Sequence, residues 1–233
     1  MRGRCSLLVD PKSLSMTVDA VNEAFFEGRR IPVGERKRAS RWIAARHRLP
    51  GAYADTFAGF EDETTNGIVV FTGERMTFGS ARHILGEEAC RALRLLGAED
   101  RRVQAALEGA SEGLLRCLER AEMDPRYRNP GVFCCGKCSV ALWRHLLAGG
   151  LDRPEERLHR GIGYLKRMRD GKGGWRRFPF WYTVLSLVEA DSPQATRELR
   201  YASPTLRRVA GRAASTTYAR RRCELALRAL RQL

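Results

Sequence analysis

The chain has 233 residues, 43% hydrophobic and 30% charged, with 42 Lys and Arg against 27 Asp and Glu and a formal net charge of +15. That length buries a core without disulfides, in one large domain or two small ones, and no apolar run reaches the ~20 residues of a membrane-spanning helix. Seven cysteines, an odd number at irregular spacings with no secretory leader before them, argue against a disulfide framework and predict reduced thiols in a cytoplasmic protein.

The basic excess favours anionic partners. Nearly all of it is arginine, because lysine occurs only at Lys12, Lys37, Lys137, Lys166 and Lys172, and the arginines are scattered, with local clusters at 36–48 and 207–222. A merely basic surface is the simpler reading, with nucleic acid as the alternative partner.

In chain order, the first ~15 residues are a lead-in. Thr17 caps a helix whose Val18, Val21, Ala24 and Phe25 share one face and which Gly28 closes. A second helix over 35–47 buries Trp42 and Ile43, and Leu49-Pro50-Gly51 ends it. Residues 52–79 carry no clear period. Within them Ile68, Val69, Val70 and Phe71 are a short strand or an apolar plug, read here as buried loop, and Glu61-Asp62-Glu63 reads as a solvated acidic turn.

From Ser80 the helical signal is continuous. Ile84, Leu85, Ala89, Ala92, Leu93 and Leu96 make one apolar stripe, ended by Gly97. Val103, Ala106, Leu107, Ala110, Leu114, Cys117 and Leu118 make another after an Asp100 cap. A connection of about three residues predicts that the two form an antiparallel hairpin. His83 and Glu87, with Glu88 beside them, have the one-turn spacing of an acid–base or metal-ligand pair, and equally that of a local hydrogen bond.

After a break at 125–130, Cys134-Cys135-Gly136-Lys137-Cys138 leads into a helix over 138–148. Asp152 and Glu155 form a capping box with Pro154 in the first turn, and the helix that follows turns Leu158, Ile162, Leu165 and Met168 inward as far as Gly171. Pro179 opens a helix over 181–189, and Asp191-Ser192-Pro193 stops it. Ser203-Pro204 and Ser215 start two more, the last with Tyr218, Leu227 and Leu230 on its core side. No sheet is predicted. The fold class is therefore all-α, built of antiparallel helical hairpins recurring every ~45 residues, which bury their faces only by stacking. An N-terminal helical and irregular subdomain covers 1–79 and the hairpin domain covers 80–233.

Arg160-Gly161-Ile162-Gly163-Tyr164-Leu165, then Arg169, then Gly173-Gly174-Trp175 resemble the QW repeat of the terpenoid cyclase and protein prenyltransferase superfamily. That motif runs basic residue and glycine, aromatic–leucine pair, glutamine after three residues, then glycine and tryptophan. Arg169 stands at the glutamine position. The resemblance implies a partial α/α toroid in which Trp175 folds back over the preceding helix end and the side chain at 169 stacks on the indole. It also implies a concavity that takes a small hydrophobic or anionic ligand or a peptide, faced by Trp175, Arg176, Trp181, Tyr182 and His145. The superfamily's D-x-D-D acid and D-D-x-x-D metal cluster are not in the sequence, and its Asp–Cys–His zinc set does not carry over to 134–138, so no cyclase or transferase chemistry is implied.

Two further patterns carry chemistry. Cys135 and Cys138 have the C-x-x-C spacing of redox dithiols, and a helix N-terminus beside Lys137 lowers the leading thiol's pKa. Cys134, Cys135 and Cys138 are also a donor set for zinc or an iron–sulfur centre, with His145, Cys117 or Cys90 as fourth ligand. His145 stands two helical turns beyond Cys138, far for one tetrahedral ion. The plain alternative is three small thiols used in packing. The aromatic run Trp175, Phe178, Phe180, Trp181 and Tyr182, with Arg176 and Arg177 inside it, suits an apolar or anionic ligand, a nucleic-acid single strand, or a helix start that uses its rings as core.

Overall fold

The computed structural model describes residues 8–77, 79–97, 99–124 and 131–233. Among them are ten helices and one two-stranded sheet, so the chain is all-α. It divides into two compact units, Met1–Ile68 with Met76–Cys117, and Val69–Arg75 with Leu118–Leu233. The boundary expected at 79 falls inside the first of these.

The first unit holds α1 (Leu14–Phe26), α2 (Val33–Ala44), α3 (Glu61–Thr65), α4 (Gly79–Leu96) and most of α5 (Arg101–Met123). Its centre is α4, which is buried without a break over 84–93 because α1, α2 and α3 pack around it. These three helices, and not α5, are the major partners of α4; the short link at Gly97 turns the chain without producing the tight hairpin expected there. The N-cap of α1 is Ser13, four residues before Thr17, and its hydroxyl accepts from the Met16 N–H at 3.0 Å. Thr17 is instead buried and donates back to the Ser13 carbonyl at 3.0 Å.

Glu63, expected in a solvated turn, is only 6% exposed. Its carboxylate accepts from the N–H groups of Leu14 at 3.3 Å, Ser15 at 2.7 Å and Phe60 at 2.7 Å. It thereby satisfies donors that the first turn of α1 leaves free and sits at the positive end of that helix. Ile43 is buried as expected, whereas Trp42 is half-buried and stacked on Phe60 with ring centroids 6.2 Å apart.

The second unit holds α6 (Gly136–Leu147), α7 (Pro154–Met168), α8 (Phe180–Ala190), α9 (Pro193–Ala210) and α10 (Thr217–Arg231), with the last residues of α5. Here sequence neighbours pack as pairs, α6 with α7, α8 with α9 and α9 with α10, which is the hairpin rhythm of the sequence. The apolar stretch expected as loop forms two short strands, β1 (Ile68–Val69) and β2 (Arg75–Met76). In their turn Gly73 has φ +82, and a Cβ there would stand 2.6 Å from the Tyr218 ring, so only glycine fits. Next to it Glu74 reaches α8, where its carboxylate accepts from the N–H groups of Trp181 at 3.0 Å and Tyr182 at 2.7 Å. Burial pushes the Glu74 carboxyl up, against the bonds from Thr72, Trp181 and Tyr182.

Three helix ends differ from expectation. The N-cap of α7 is Arg153, at φ 44, and Asp152 pairs with Arg157 at 2.9 Å instead of closing a capping box. Ser192 caps α9, which runs on through Pro204, the residue expected to start a new helix. Pro204 is tolerated because it lies on the exposed side, where water can serve the Arg200 carbonyl that loses its donor. In α10 the buried residues are Leu225, Ala226 and Ala229, while Leu227 is 43% exposed and Tyr218 and Leu230 are half-buried. Two small alanines let α9 approach closely, which outweighs the larger side chains that marked the other face.

Candidate functional site

Two pieces of the second unit carry the sequence signals, the 160–175 stretch and the cysteine loop. The first is a corner. Beyond α7 the chain turns through Gly171 and Gly173, both at positive φ, and returns antiparallel so that Trp175 bridges to Arg169. The Arg176 N–H donates to the Met168 carbonyl at 2.7 Å and the Asp170 N–H to the Gly174 carbonyl at 3.0 Å. Trp175 thus lies against the end of the preceding helix. Arg169 does not stack on it: the guanidinium lies 4.5 Å from the Tyr201 ring centroid and forks onto Glu198 of α9 through Nε at 3.1 Å and Nη2 at 2.9 Å. Glu198 also accepts the Trp175 indole N–H at 2.8 Å. Arginine has no acceptor atoms, and the carboxylate on the next helix supplies them.

The five residues expected to face a ligand separate into core and surface. Trp175 is 4% exposed and stacks on Phe180 at 5.9 Å. Tyr182 is fully buried under the Arg144 guanidinium, which itself forks onto Glu189 at 2.9 Å. His145 is fully buried, and its ring leaves no room for a Cβ on Gly150. These three pack the interior. Arg176 is exposed and donates to the Arg167 carbonyl at 3.0 Å, and Trp181 is half-buried, edge-on to Phe180 at 4.9 Å.

The cysteine loop is held from both flanks. The indole N–H of Trp143 donates to the Gly131 carbonyl at 2.6 Å, and the Ser139 hydroxyl accepts the Phe133 N–H at 2.9 Å. Cys134 sits at φ 56, a left-handed conformation that costs a non-glycine residue roughly 1 kcal/mol or more. This kink is closed by the Cys135 N–H on the Phe133 carbonyl at 2.5 Å. Cys135 is then the N-cap of α6 and Cys138 lies one turn further on. Gly136 between them is obligatory: a Cβ there would stand 2.3 Å from the Arg177 carbonyl oxygen and 2.9 Å from the Phe178 ring.

The sulfurs of Cys135 and Cys138 are 3.6 Å apart, and those of Cys134 and Cys138 lie within 4.8 Å. The hydrogen bond with Cys138 draws the Cys135 thiol down to about 5; burial opposes this, and the N–H groups of Cys138 and Lys137 add to it. The bond with Cys138 likewise lowers Cys134, against its burial. The same bonds, then burial, raise the fully buried Cys138. Four ligands ~2.3 Å from a tetrahedral ion stand about 3.8 Å from one another, close to the separation of Cys135 and Cys138.

His145 cannot complete such a set, being buried seven residues further along α6. In the first unit, His83 stacks on Tyr53 with ring centroids 3.5 Å apart, and burial lowers it to about 4. The contributions of Ser139 and Gly136 were not anticipated from sequence; the glycine inside C-C-G-K-C was the one visible sign of close packing at the loop. Comparison with protein-family models, curated proteins and solved structures gave no match to this chain. Among the described residues no helix is long and apolar enough to cross a membrane.

Proposed function

We propose that the second unit is a metal-thiolate module that binds a zinc-type ion through Cys134, Cys135 and Cys138. The observation that carries this reading is the approach of the Cys138 sulfur to two others at a kinked helix N-terminus, to Cys135 at 3.6 Å and to Cys134 within 4.8 Å, where one would suffice for a dithiol. Zinc is favoured over harder ions because every donor is sulfur. The first-turn N–H groups and the lowered thiols favour the anionic form that a metal needs. Three protein ligands leave one tetrahedral position for a further group.

The test is elemental analysis of protein purified without chelators. About one equivalent of zinc is expected, lost in Cys138→Ser and kept in Cys223→Ser, whose thiol bonds to the Val209 and Arg212 carbonyls. Metal-free protein that takes up no zinc on titration would end the reading.

A second reading rests on the low Cys135 thiol and its 3.6 Å separation from Cys138. In it the Cys135 thiolate attacks a partner disulfide, one partner thiolate leaves, and Cys138 resolves the mixed disulfide after giving up its proton. The resemblance to the toroid superfamily is supported by the fold-back of Trp175 onto α7 and concerns architecture. A ligand-binding concavity draws less support, since Trp175, Tyr182 and His145 are buried.

A further inference from the structure

We propose that the outer face of α9 is a docking strip for the phosphate backbone of nucleic acid. The last part of the chain, 193–233, holds ten arginines, no lysine or aspartate, and two glutamates, Glu198 and Glu224, a formal +8 out of +15. Neither glutamate is available to neutralise the surface. Glu198 is buried and engaged by Arg169 and Trp175, and Glu224 is taken by Arg228 at 2.9 Å and Arg231 at 3.5 Å.

The remaining positive charge is ordered. At 100° per residue, Arg197, Arg200, Arg207 and Arg208 fall within about a quarter to a third of the α9 circumference. All four are exposed, opposite the buried Ala195, Leu199, Ala202 and Leu206. Among the described residues Arg197, Arg207 and Arg208 have no acidic partner, and Arg200 donates only to the Leu233 carbonyl at 3.3 Å. The arginines at the start of α7 behave differently: Arg153, Arg157 and Arg160 are bound by Asp152, Glu122 and Glu156. Helix stability accounts for part of the strip only. Arg207 and Arg208 lie in the last turn, where cations meet the negative end of the dipole, but Arg197 and Arg200 lie toward the positive end, where they are unfavourable.

The chemistry selects the partner. Guanidinium forks match phosphate oxygens bidentately. The strip from Arg197 to Arg208 is ~16 Å long, the span of about five phosphates along one strand. An amphipathic helix that lies in a lipid interface needs large apolar side chains on its free side. On α9 the apolar face is already buried against α8 and α10, and the free face offers Pro204. Contacts to phosphate oxygens carry no sequence information, so binding is expected to be independent of sequence.

The test uses the full chain and a fluorescently labelled random 25-base-pair DNA duplex, with anisotropy read between 50 and 300 mM salt. Wild type is expected to bind with a salt slope near −4, from about four phosphate contacts at −0.9 each. Changing Arg197, Arg200, Arg207 and Arg208 together to Gln is expected to weaken binding at least tenfold at 100 mM salt and to flatten the slope by about three to four. Changing the same four to Lys is expected to keep affinity within threefold, with an unchanged circular-dichroism melt for both variants. A control that removes equal charge elsewhere, at Arg30, Lys37, Lys166 and Lys172, is expected to cost less than threefold. Equal losses from the strip and the control would reduce the effect to net charge and overturn the proposal. So would absence of duplex binding at 50 mM salt, or strip-dependent binding to phosphatidylserine vesicles without binding to the duplex.

Discussion

Replacing Glu198 by glutamine keeps the shape of the side chain and removes its charge, which isolates the carboxylate's part in the 169–175 corner. Three bonds end on it, from Arg169 Nε at 3.1 Å, Arg169 Nη2 at 2.9 Å and Trp175 Nε1 at 2.8 Å. An amide keeps one acceptor oxygen, so at least one donor then faces an NH2 group. Hydrogen bonds to charged groups contribute about 1.5–3 kcal/mol each. The Arg169 side chain is 31% exposed, so water recovers part of its loss, and the net cost is about 2–3 kcal/mol. In a chain of this size that lowers the thermal midpoint by roughly 5–10 °C.

Arg169→Gln, which installs the residue of the QW pattern, is expected to cost about 1–2 kcal/mol, since its amide can still donate to Glu198. The two changes share one contact, so the double mutant is expected to show a coupling of about 1 kcal/mol or more. Urea titration followed by circular dichroism, with calorimetric midpoints, measures all four corners of the cycle. Strict additivity, or a Glu198→Gln midpoint within about 2 °C of wild type, would refute the reasoning and leave the corner held by the stacking of Trp175 alone.

Other outcomes follow from single contacts. In metal-free, reduced protein Cys135 lies near 5, so its proton is already gone below neutrality. Its labelling by iodoacetamide, followed by intact mass, should level off by about pH 6, whereas an ordinary thiol keeps accelerating through about 8.5. Cys138→Ala should move the rise to higher pH, and a tenfold climb per unit between pH 6 and 8 in wild type would contradict the assignment. Gly136→Ala drives a Cβ against the Arg177 carbonyl; a loss of about 1–3 kcal/mol and weaker zinc retention against a chromophoric chelator are expected, and unchanged retention would separate the loop's packing from its ligation. Pro204→Ala restores a helix donor on the exposed face of α9 and should raise stability by about 1–2 kcal/mol once the greater freedom of the unfolded chain is deducted, readable as a higher midpoint.

The helical class was legible because stripes such as Ile84, Leu85, Ala89, Leu93 and Leu96 repeat with the helix period, and all five are buried. The turn before Trp175 was legible because glycines announce it. What stayed hidden is the work of three carboxylates. Glu63 binds the start of α1 across 48 and 49 residues, Glu74 the start of α8 across 107 and 108, and Glu198 ties α9 to Trp175 across 23. Their partners in the first two cases are main-chain N–H groups, which have no sequence signature, and an acidic residue in a polar stretch reads as solvated by default. The cysteine spacing was plain on the page. The approach of the Cys134 sulfur to that of Cys138 was not, because Cys134 adopts a backbone conformation that its residue type disfavours.

The hydrogen bonds around the cysteine loop bear on what a metal would contribute there. The Trp143 bond to Gly131 and the bonds of Ser139 to Phe133 and Cys135 involve no sulfur, and Gly136 rests on the 177–178 backbone. The positions of Cys134, Cys135 and Cys138 are therefore set by packing before any ion arrives. Small zinc domains, in contrast, spend much of the binding free energy on folding. Thiols positioned in advance avoid that ordering cost, so more of any metal interaction would remain as affinity. Against this, the bonds with Cys134 and Cys135, then burial, hold the Cys138 thiol up, so an ion has a proton to displace there. Zinc retention is therefore expected to weaken as pH falls, because the ion and the Cys138 proton compete for one sulfur.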